Sequence, residues 1–362
     1  MSETPGRFGR LYQGLTTFDF VGRRKWWFTV SVLIIVAGLA SLSVRGFNLG
    51  IEFKGGSSFE VLAPHSSVTA MADAARGAGL PEPIVQKLGS STYQITGDLN
   101  NLSLSAQQSV TDAVVKALAH EAGVADNQVS TSNVGPTWGG SVTQRALEAL
   151  IIFFIAVALY IAVRFEPKMA LAAIIAVLHD LLVTVGVYSL FGFAITPDTV
   201  IAILTILGYS LYDTVVVFDR VRDNTNGVLK SGNITYSEMV NLSMNQTLAR
   251  SINTSLVAIL PVLSVLVVGA YILGATTLEN YGLALFVGLL AGAYSSIFIA
   301  SPLLALFKER EARYRELTQR VEQRAEKRVL SPAAAARGGD SESPTSNAPS
   351  PIQARARKPK RR

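Results

Sequence analysis

Six stretches of this chain, at about 26–46, 146–163, 170–191, 199–218, 251–273 and 282–307, are apolar over close to the roughly 20 residues a helix needs to cross a bilayer. In hydrocarbon the backbone has no water to bond, so a spanning segment of this kind satisfies its own N–H and C=O groups as a helix. The expected fold class is therefore an α-helical polytopic membrane protein with six transmembrane helices. The first stretch is too long for the apolar part of a signal peptide and no small-residue cleavage site follows it, so it reads as a permanent anchor. Composition agrees: 49% of the 362 residues are hydrophobic and only 16% are charged, too apolar for an ordinary soluble chain of this length.

Composition also excludes chemistry. There is no cysteine, hence no disulfide framework, thiolate nucleophile or cysteine-based zinc site, and the three histidines (His65, His120, His179) form no HExxH pair. No metal, cofactor or enzymatic reaction is expected. Much of the net charge of +6 lies between Lys308 and Arg328 and between Arg355 and Arg362. That placement fits a solvated tail beside anionic membrane lipid, and no nucleic-acid partner is expected.

Orientation follows from lysine and arginine near the spans. Arg7, Arg10, Arg23, Arg24 and Lys25 precede the first span; Arg164 and Lys168 lie between the second and third; Arg220, Arg222, Lys230 and Arg250 lie between the fourth and fifth. The 192–198 and 274–281 loops carry no basic residue. Both termini are expected in the cytoplasm and residues 47–143 outside it, where four basic residues stand against eight acidic ones. The expected domains are an interfacial N-terminal segment (1–25), the first helix (26–46), the outer domain (47–143), helices two to six (144–307) with a cytoplasmic amphipathic loop at 219–250, and a basic, largely disordered tail (308–362). The outer segment reads as β-α-β-β-α-β, a ferredoxin-like domain. Its strands are expected in 47–62 (two short ones, or one bulged at Gly55-Gly56), "PIVQKL", "TYQITG" and "NQVSTSNVG", and its helices at 67–79 and 103–122. In the last span Gly288 and Gly292 form GxxxG, either a close-packing face or a chance pair of small residues, and Pro261 predicts a kink in the fifth.

Two acidic residues lie well inside the spans, Asp180 in the third and Asp213 in the fourth. An aspartate at the bilayer centre costs roughly 2.5–3.5 kcal/mol on insertion scales, so each should face the bundle interior. Helical spacing places Thr205, Tyr209, Ser210 and Asp213 on one face, and Asp180, Thr184 and Tyr188, with His179 beside them, on another. Arg220 lies too far along the helix from Asp213 to pair firmly; Asp219, Arg220 and Arg222 read as interface anchors. Arg250, which opens the fifth span, is the better partner. Two readings follow. Asp213 pairs statically with Arg250 and fastens helices, or it gains and loses a proton, pushed toward neutrality by burial and toward ionisation by the arginine. His179 and Asp180 either join such a relay or support packing.

The blocks "FDFVGRRKWWF", "NLGIEFKGGSSFEV", "LHDLLVTVGV", "GYSLYDTVVVFDRVRDN" and "MNQTLARSINTS" occur in an order that resembles the SecF family of protein-export membrane proteins, part of the SecD/SecF group within the RND superfamily. The resemblance covers roughly residues 17–307. It implies half of an RND-type bundle, a SecD-like partner subunit, the SecYEG channel and a translocating preprotein as further partners alongside membrane lipid, and use of the proton motive force late in preprotein export. It also implies a proton relay through Asp213 and Arg250. Tyr212 stands where the family block often has asparagine, which puts the local proton path in question. A half-size RND-type exporter of small hydrophobic molecules or lipids is the alternative; such exporters usually carry twelve spans and two outer domains, and this chain has six and one. An intramembrane aspartyl protease would need two neighbouring carboxylates and a GxGD block, which is absent around Asp180.

Overall fold

A computed structural model describes residues 16–272 and 276–329. The first membrane helix, α1 (Arg24–Arg45), is followed by a single helical turn, α2 (Ile51–Lys54). The small domain then runs β1 (Gly56–Leu62), α3 (Val68–Gly77), β2 (Ile84–Leu88), β3 (Thr92–Gly97), α4 (Leu104–Ala122) and β4 (Ser130–Val134). Five further long helices make up the membrane part: α5 (Pro136–Arg164), α6 (Pro167–Phe191), α7 (Pro197–Ser231), α8 (Tyr236–Ser264) and α9 (Thr276–Ser295). With α1, these supply six helices long and apolar enough to span a membrane. Wide π-helical turns extend α8 (Val265–Ile272) and α9 (Ser296–Ala300), and α10 (Ser301–Glu309) and α11 (Ala312–Val329) follow.

The small domain has the predicted order of elements. Its sheet runs β2-β3-β1-β4, all neighbours antiparallel, with Phe59 of β1 opposite Ile95 on one side and Thr131 on the other. Phe59, Val61, Tyr93 and Ile95 present one face of the sheet to Met71 and Ala75 of α3 and to Val114 and Leu118 of α4, forming a separate buried core. Ser67 and Ser103 cap the two helices by accepting from the backbone N–H groups of Ala70 and Ala106.

Four expectations are corrected. Residues 51–54 form a helical turn, not strand: the chain reverses at Gly55 and Gly56, whose φ angles of 77° and 128° suit glycine, and the sheet begins only after that break. The second membrane helix begins at Pro136, ten residues before its apolar run, because a helix continues through polar residues once its N-terminus is set. Residues 219–250 are not a loop: α7 runs on to Ser231, and α8 starts at a capping box formed by Thr235 and Glu238. Met239 and Val240 of α8 are buried in the main core. The basic tail is helical as far as Val329, where Tyr314 and Leu317 of α11 join that core; residues 330–362 lie outside the described residues, as do residues 1–15 of the N-terminal segment. Residues 18–21 form a strap that turns at Phe20 and Val21 and is clipped to α8, with Asn245 accepting from Phe18 N–H and Asn241 accepting from Phe20 and Val21 N–H.

The bundle is layered. α6, α7 and α9 are largely enclosed, whereas α1, α5 and α8 turn much of their apolar surface outward, as Ile151, Ile152, Ile155 and Leu159 of α5 illustrate. Close approach depends on glycine. A Cβ on Gly38 of α1 would lie 2.5 Å from the Gly186 Cα of α6, one on Gly288 of α9 would lie 2.3 Å from Ile206 Cδ1, and one on Gly292 would lie 2.8 Å from Ser210 Cβ. The GxxxG pair is therefore the face on which α9 packs against α7. The small domain is tied to the bundle where Gly50 N–H donates to the Ile195 carbonyl at 2.8 Å and Ile195 N–H returns a bond to the Asn48 carbonyl at 2.8 Å.

Candidate functional site

Both intramembrane aspartates point inward, as their cost in lipid demands. Asp213 is 4% exposed and Asp180 is fully enclosed. α7 carries Asp213 to a point where α8 and the π turn after α9 converge. Ser251 donates to Asp213 Oδ1 at 2.9 Å and Ser296 donates to Oδ2 at 2.5 Å. Both hydroxyls reach the carboxyl because Gly288 and Gly292 allow α9 to lie close against α7, which places Ser296 in register with Asp213. Neither serine was singled out from the sequence. Ser251 adjoins Arg250 in the "LARSINTS" block, and Ser296 lies four residues after Gly292, so both signals were present as spacing alone.

Arg250 and Asp213 do not pair. The Arg250 guanidinium donates from Nη2 to the Tyr212 hydroxyl at 3.0 Å, and Tyr212, 51% exposed, stands on the outer side of α7. Arg250 is exposed on the same side. The two groups belong to adjacent positions of α7, 212 and 213, and of α8, 250 and 251. One pair of neighbours meets inside the bundle (Asp213 with Ser251) and the other outside it (Tyr212 with Arg250). A static ion pair as the fastening between these helices is thus not what this structure contains.

The expected polar stripe on α7 divides. Ser210 and Asp213 face inward, whereas Thr205 is exposed and bonds back to the Ile201 carbonyl, and Tyr209 turns toward Thr254 and Ser255 of α8. On α6 the expected face holds together: Asp180, Thr184 and Tyr188 are all buried, with Thr184 bonded to the Asp180 carbonyl and Tyr188 donating to the Asn280 carbonyl at 3.2 Å.

Asp180 has its own set of partners. Ser210 donates to its Oδ2 at 2.5 Å, and Oδ1 lies 3.1 Å from His179 Nδ1. His179 Nε2 lies 3.0 Å from Ser31 Oγ of α1, which donates to the Tyr294 hydroxyl of α9 at 3.3 Å. The two carboxylates therefore do not share a site directly: each is served by different hydroxyls, and α7 connects them through Ser210 and Asp213. Ser31 and Tyr294 are residues that periodicity did not single out, since a lone hydroxyl in an apolar run has no sequence partner.

At one end of the bundle the charges expected as anchors form ion pairs, Arg164 and Arg222 each with Asp219, while Arg220 donates to Gln246 at 2.7 Å. Next to them Lys308, 3% exposed, pairs with Glu166 and Glu311, and Lys168 pairs with Glu311 at 3.2 Å. Among the described residues no group of three or more histidines, aspartates or glutamates is placed to hold a metal ion.

A helical bundle with enclosed carboxyl groups, each met by hydroxyls from other helices, and with a small α+β domain inserted after the first span, defines a polytopic membrane protein with titratable groups inside its bundle. Residues 114–310 match the family model described as the protein export membrane protein SecD/SecF, C-terminal, and residues 40–63 match the SecD/SecF GG motif, which includes the Gly55-Gly56 break. The chain is 45% identical over 313 residues to the protein translocase subunit SecF of Streptomyces coelicolor, covering 86% of this chain and 82% of that one. It is 36% identical to the protein translocase subunit SecDF of Bacillus subtilis, over 81% of this chain and 38% of that one. The crystal structure of SecDF, a translocon-associated membrane protein from Thermus thermophilus, is similar with a TM-score of 0.71 and 31% identity over 82% of this chain and 39% of that one. The chain belongs to the SecF family of protein translocase subunits.

Proposed function

We propose that this chain works with a SecD-like subunit beside the SecYEG channel, in the bacterial cytoplasmic membrane, and uses the proton motive force to promote a late stage of preprotein export, with Asp213 as the group that gains and loses the proton. The observation that carries this reading is the separation of Asp213 from Arg250. A carboxyl enclosed in the bundle is met by two serine hydroxyls and no cation, while a guanidinium one residue along α8 is held outside by Tyr212. Arg250 and Asp213 can therefore stand in two arrangements. With Arg250 outside, as here, the carboxyl meets only the hydroxyls of Ser251 and Ser296; with Arg250 turned inward, the guanidinium would lie beside it. Each proton that crosses is worth about 2.3 kcal/mol per 100 mV, enough to bias a rearrangement of helices. Nothing in this cycle makes or breaks a covalent bond of a substrate, so the role is that of a motor subunit rather than an enzyme.

The polar outer side of α7 and α8 supports a partner half. Tyr212 and Arg250 are exposed at a depth where lipid would otherwise meet them, and uncovered polar groups in hydrocarbon are costly. A second bundle seated there would enclose them. The relatives that carry SecD and SecF names in one longer chain fit that arrangement. The small domain, with a hydrophobic core of its own, acts as a lever on emerging polypeptide.

Secretion of a reporter preprotein, in a strain dependent on this copy, tests the reading with membrane abundance matched. Asp213→Asn keeps size and hydrogen bonding but cannot titrate, so it should insert normally and lose export support. Asp213→Glu should retain part of it. Export at the wild-type rate by Asp213→Asn would end the proton-switch reading.

A further inference from the structure

Hydrogen-bond direction in the row that crosses α1, α9, α6 and α7 determines where its protons lie. The Trp27 carbonyl can only accept, so Tyr294 Oη, 2.9 Å away, donates to it. Ser31 Oγ, 3.3 Å from Tyr294, must then spend its own proton on the tyrosine oxygen. Having none left, Ser31 can only accept from His179 Nε2 at 3.0 Å, so that nitrogen carries a proton. His179 Nδ1 stands 3.1 Å from Asp180 Oδ1, and a bare nitrogen cannot face a bare carboxylate oxygen at that distance without repulsion. One more proton must lie between them. On the far side Ser210 donates to Asp180 Oδ2, which closes the count.

We infer that the His179–Asp180 pair is a second proton-binding site of this bundle, distinct from Asp213, and that its proton sets the hydrogen bonds between α1 and α9. With the proton bound, the pair is net neutral, whether written as imidazolium with carboxylate or as imidazole with carboxylic acid. Release of that one proton leaves a single negative charge. The remaining imidazole proton then belongs on Nδ1, facing the carboxylate, and Nε2 becomes an acceptor. Ser31 turns its hydroxyl from Tyr294 to His179, and the Ser31–Tyr294 bond between α1 and α9 is lost. The titratable groups facing the pair are Tyr294 of α9, whose ring stacks on His179 with centroids 6.1 Å apart, and Asp213, one turn along α7 from Ser210; α1 contributes Ser31 and the π turn contributes Ser296 to Asp213. Among the described residues neither aspartate has a lysine or arginine in ion-pair contact. The site deepens the proton-driven reading, and its role in export rests on that reading.

Solid-state 15N NMR of the full chain in phospholipid vesicles reads the site directly. His65 and His120, both in the small domain, are replaced by glutamine so that only His179 reports. Nε2 should be protonated in acid, and Nε2 should lose its proton to leave the Nδ1–H form as the pH rises. Tyr294→Phe frees Ser31 to donate to Nε2 and should move that transition to lower pH. Asp180→Asn removes the carboxylate that shares the second proton and should move the loss of that proton from His179 to lower pH. A His179 spectrum that does not change with pH, or a bare Nε2 in the wild type in acid, overturns the proposal, and both are read without any variant of the pair. Failure of the Asp213 reading is seen separately, as wild-type export by Asp213→Asn whatever His179 does.

Discussion

Replacing Tyr212 by Phe removes a single oxygen, the one that accepts from Arg250 at 3.0 Å. A hydrogen bond to a charged group contributes about 1.5–3 kcal/mol, so its loss shifts the position of Arg250 by roughly tenfold or more toward other partners. Asp213 is one residue away on α7 and is the nearest anion in sequence. Tyr212→Phe is therefore expected to release Arg250 toward Asp213, to insert at wild-type abundance, and to slow export about tenfold; the secretion assay with abundance control checks it. Export unaffected by Tyr212→Phe would show that Tyr212 does not govern Arg250. Arg250→Lys keeps the charge without the planar fork and should give intermediate export, whereas Arg250→Ala, which removes the cation, should fail. Asp213 and Arg250 were legible in the sequence as a costly acid and a cation entering the neighbouring span. Their separation was not, because the choice between neighbouring positions on two helices depends on how each helix is rotated about its axis.

The helices pack through glycines whose consequences differ. A Cβ on Gly288 meets the Ile206 side chain, 2.3 Å from Cδ1 and 2.8 Å from Cγ2, whose rotamer can yield in part; a Cβ on Gly38 meets the backbone of Gly186, which cannot. Gly38→Val should therefore lower the thermal unfolding midpoint in detergent well beyond Gly288→Ala, by a destabilisation of about 1–3 kcal/mol typical of overpacking. Equal midpoints would mean that α1 is free to move off α6. A second prediction at this scale concerns the docking of α11. Partial burial pulls the Glu311 carboxyl upward, but the hydrogen bond from Lys168 and the charge of Lys308 outweigh it and leave the carboxyl below its usual range. Such a group stabilises the docked state fully near neutral pH and loses that contribution as pH falls through the lowered value. Amide exchange in Ala312–Val329 should rise on acidification through the carboxylate range, and Glu311→Gln should show faster exchange already at neutral pH. The GxxxG motif was visible in the sequence, while the Gly38–Gly186 contact was not: two isolated glycines in different spans carry no spacing to connect them.

For the whole molecule, a reporter fused near residue 95 should read as external and one near residue 235 as cytoplasmic, from the basic-residue asymmetry of the loops; reversed signals would overturn the orientation. Six spans, the β-α-β-β-α-β order and the inward placement of Asp180 and Asp213 were all determined by the sequence, because hydrophobic length, two-residue and 3.6-residue periods, and the cost of a buried charge act locally along the chain. The helical turn at Ile51–Lys54 and the long helices through 136–145 and 219–231 were misjudged from hydropathy, which marks where lipid ends rather than where a helix does. What only the tertiary structure decided is which hydroxyl meets which carboxyl. Ser251 and Ser296 on Asp213, and Ser210, His179, Ser31 and Tyr294 around Asp180, come from four or more helices whose axial rotation and depth are set by glycine contacts and side-chain packing, and a hydrogen bond between helices exists only once those rotations are fixed together.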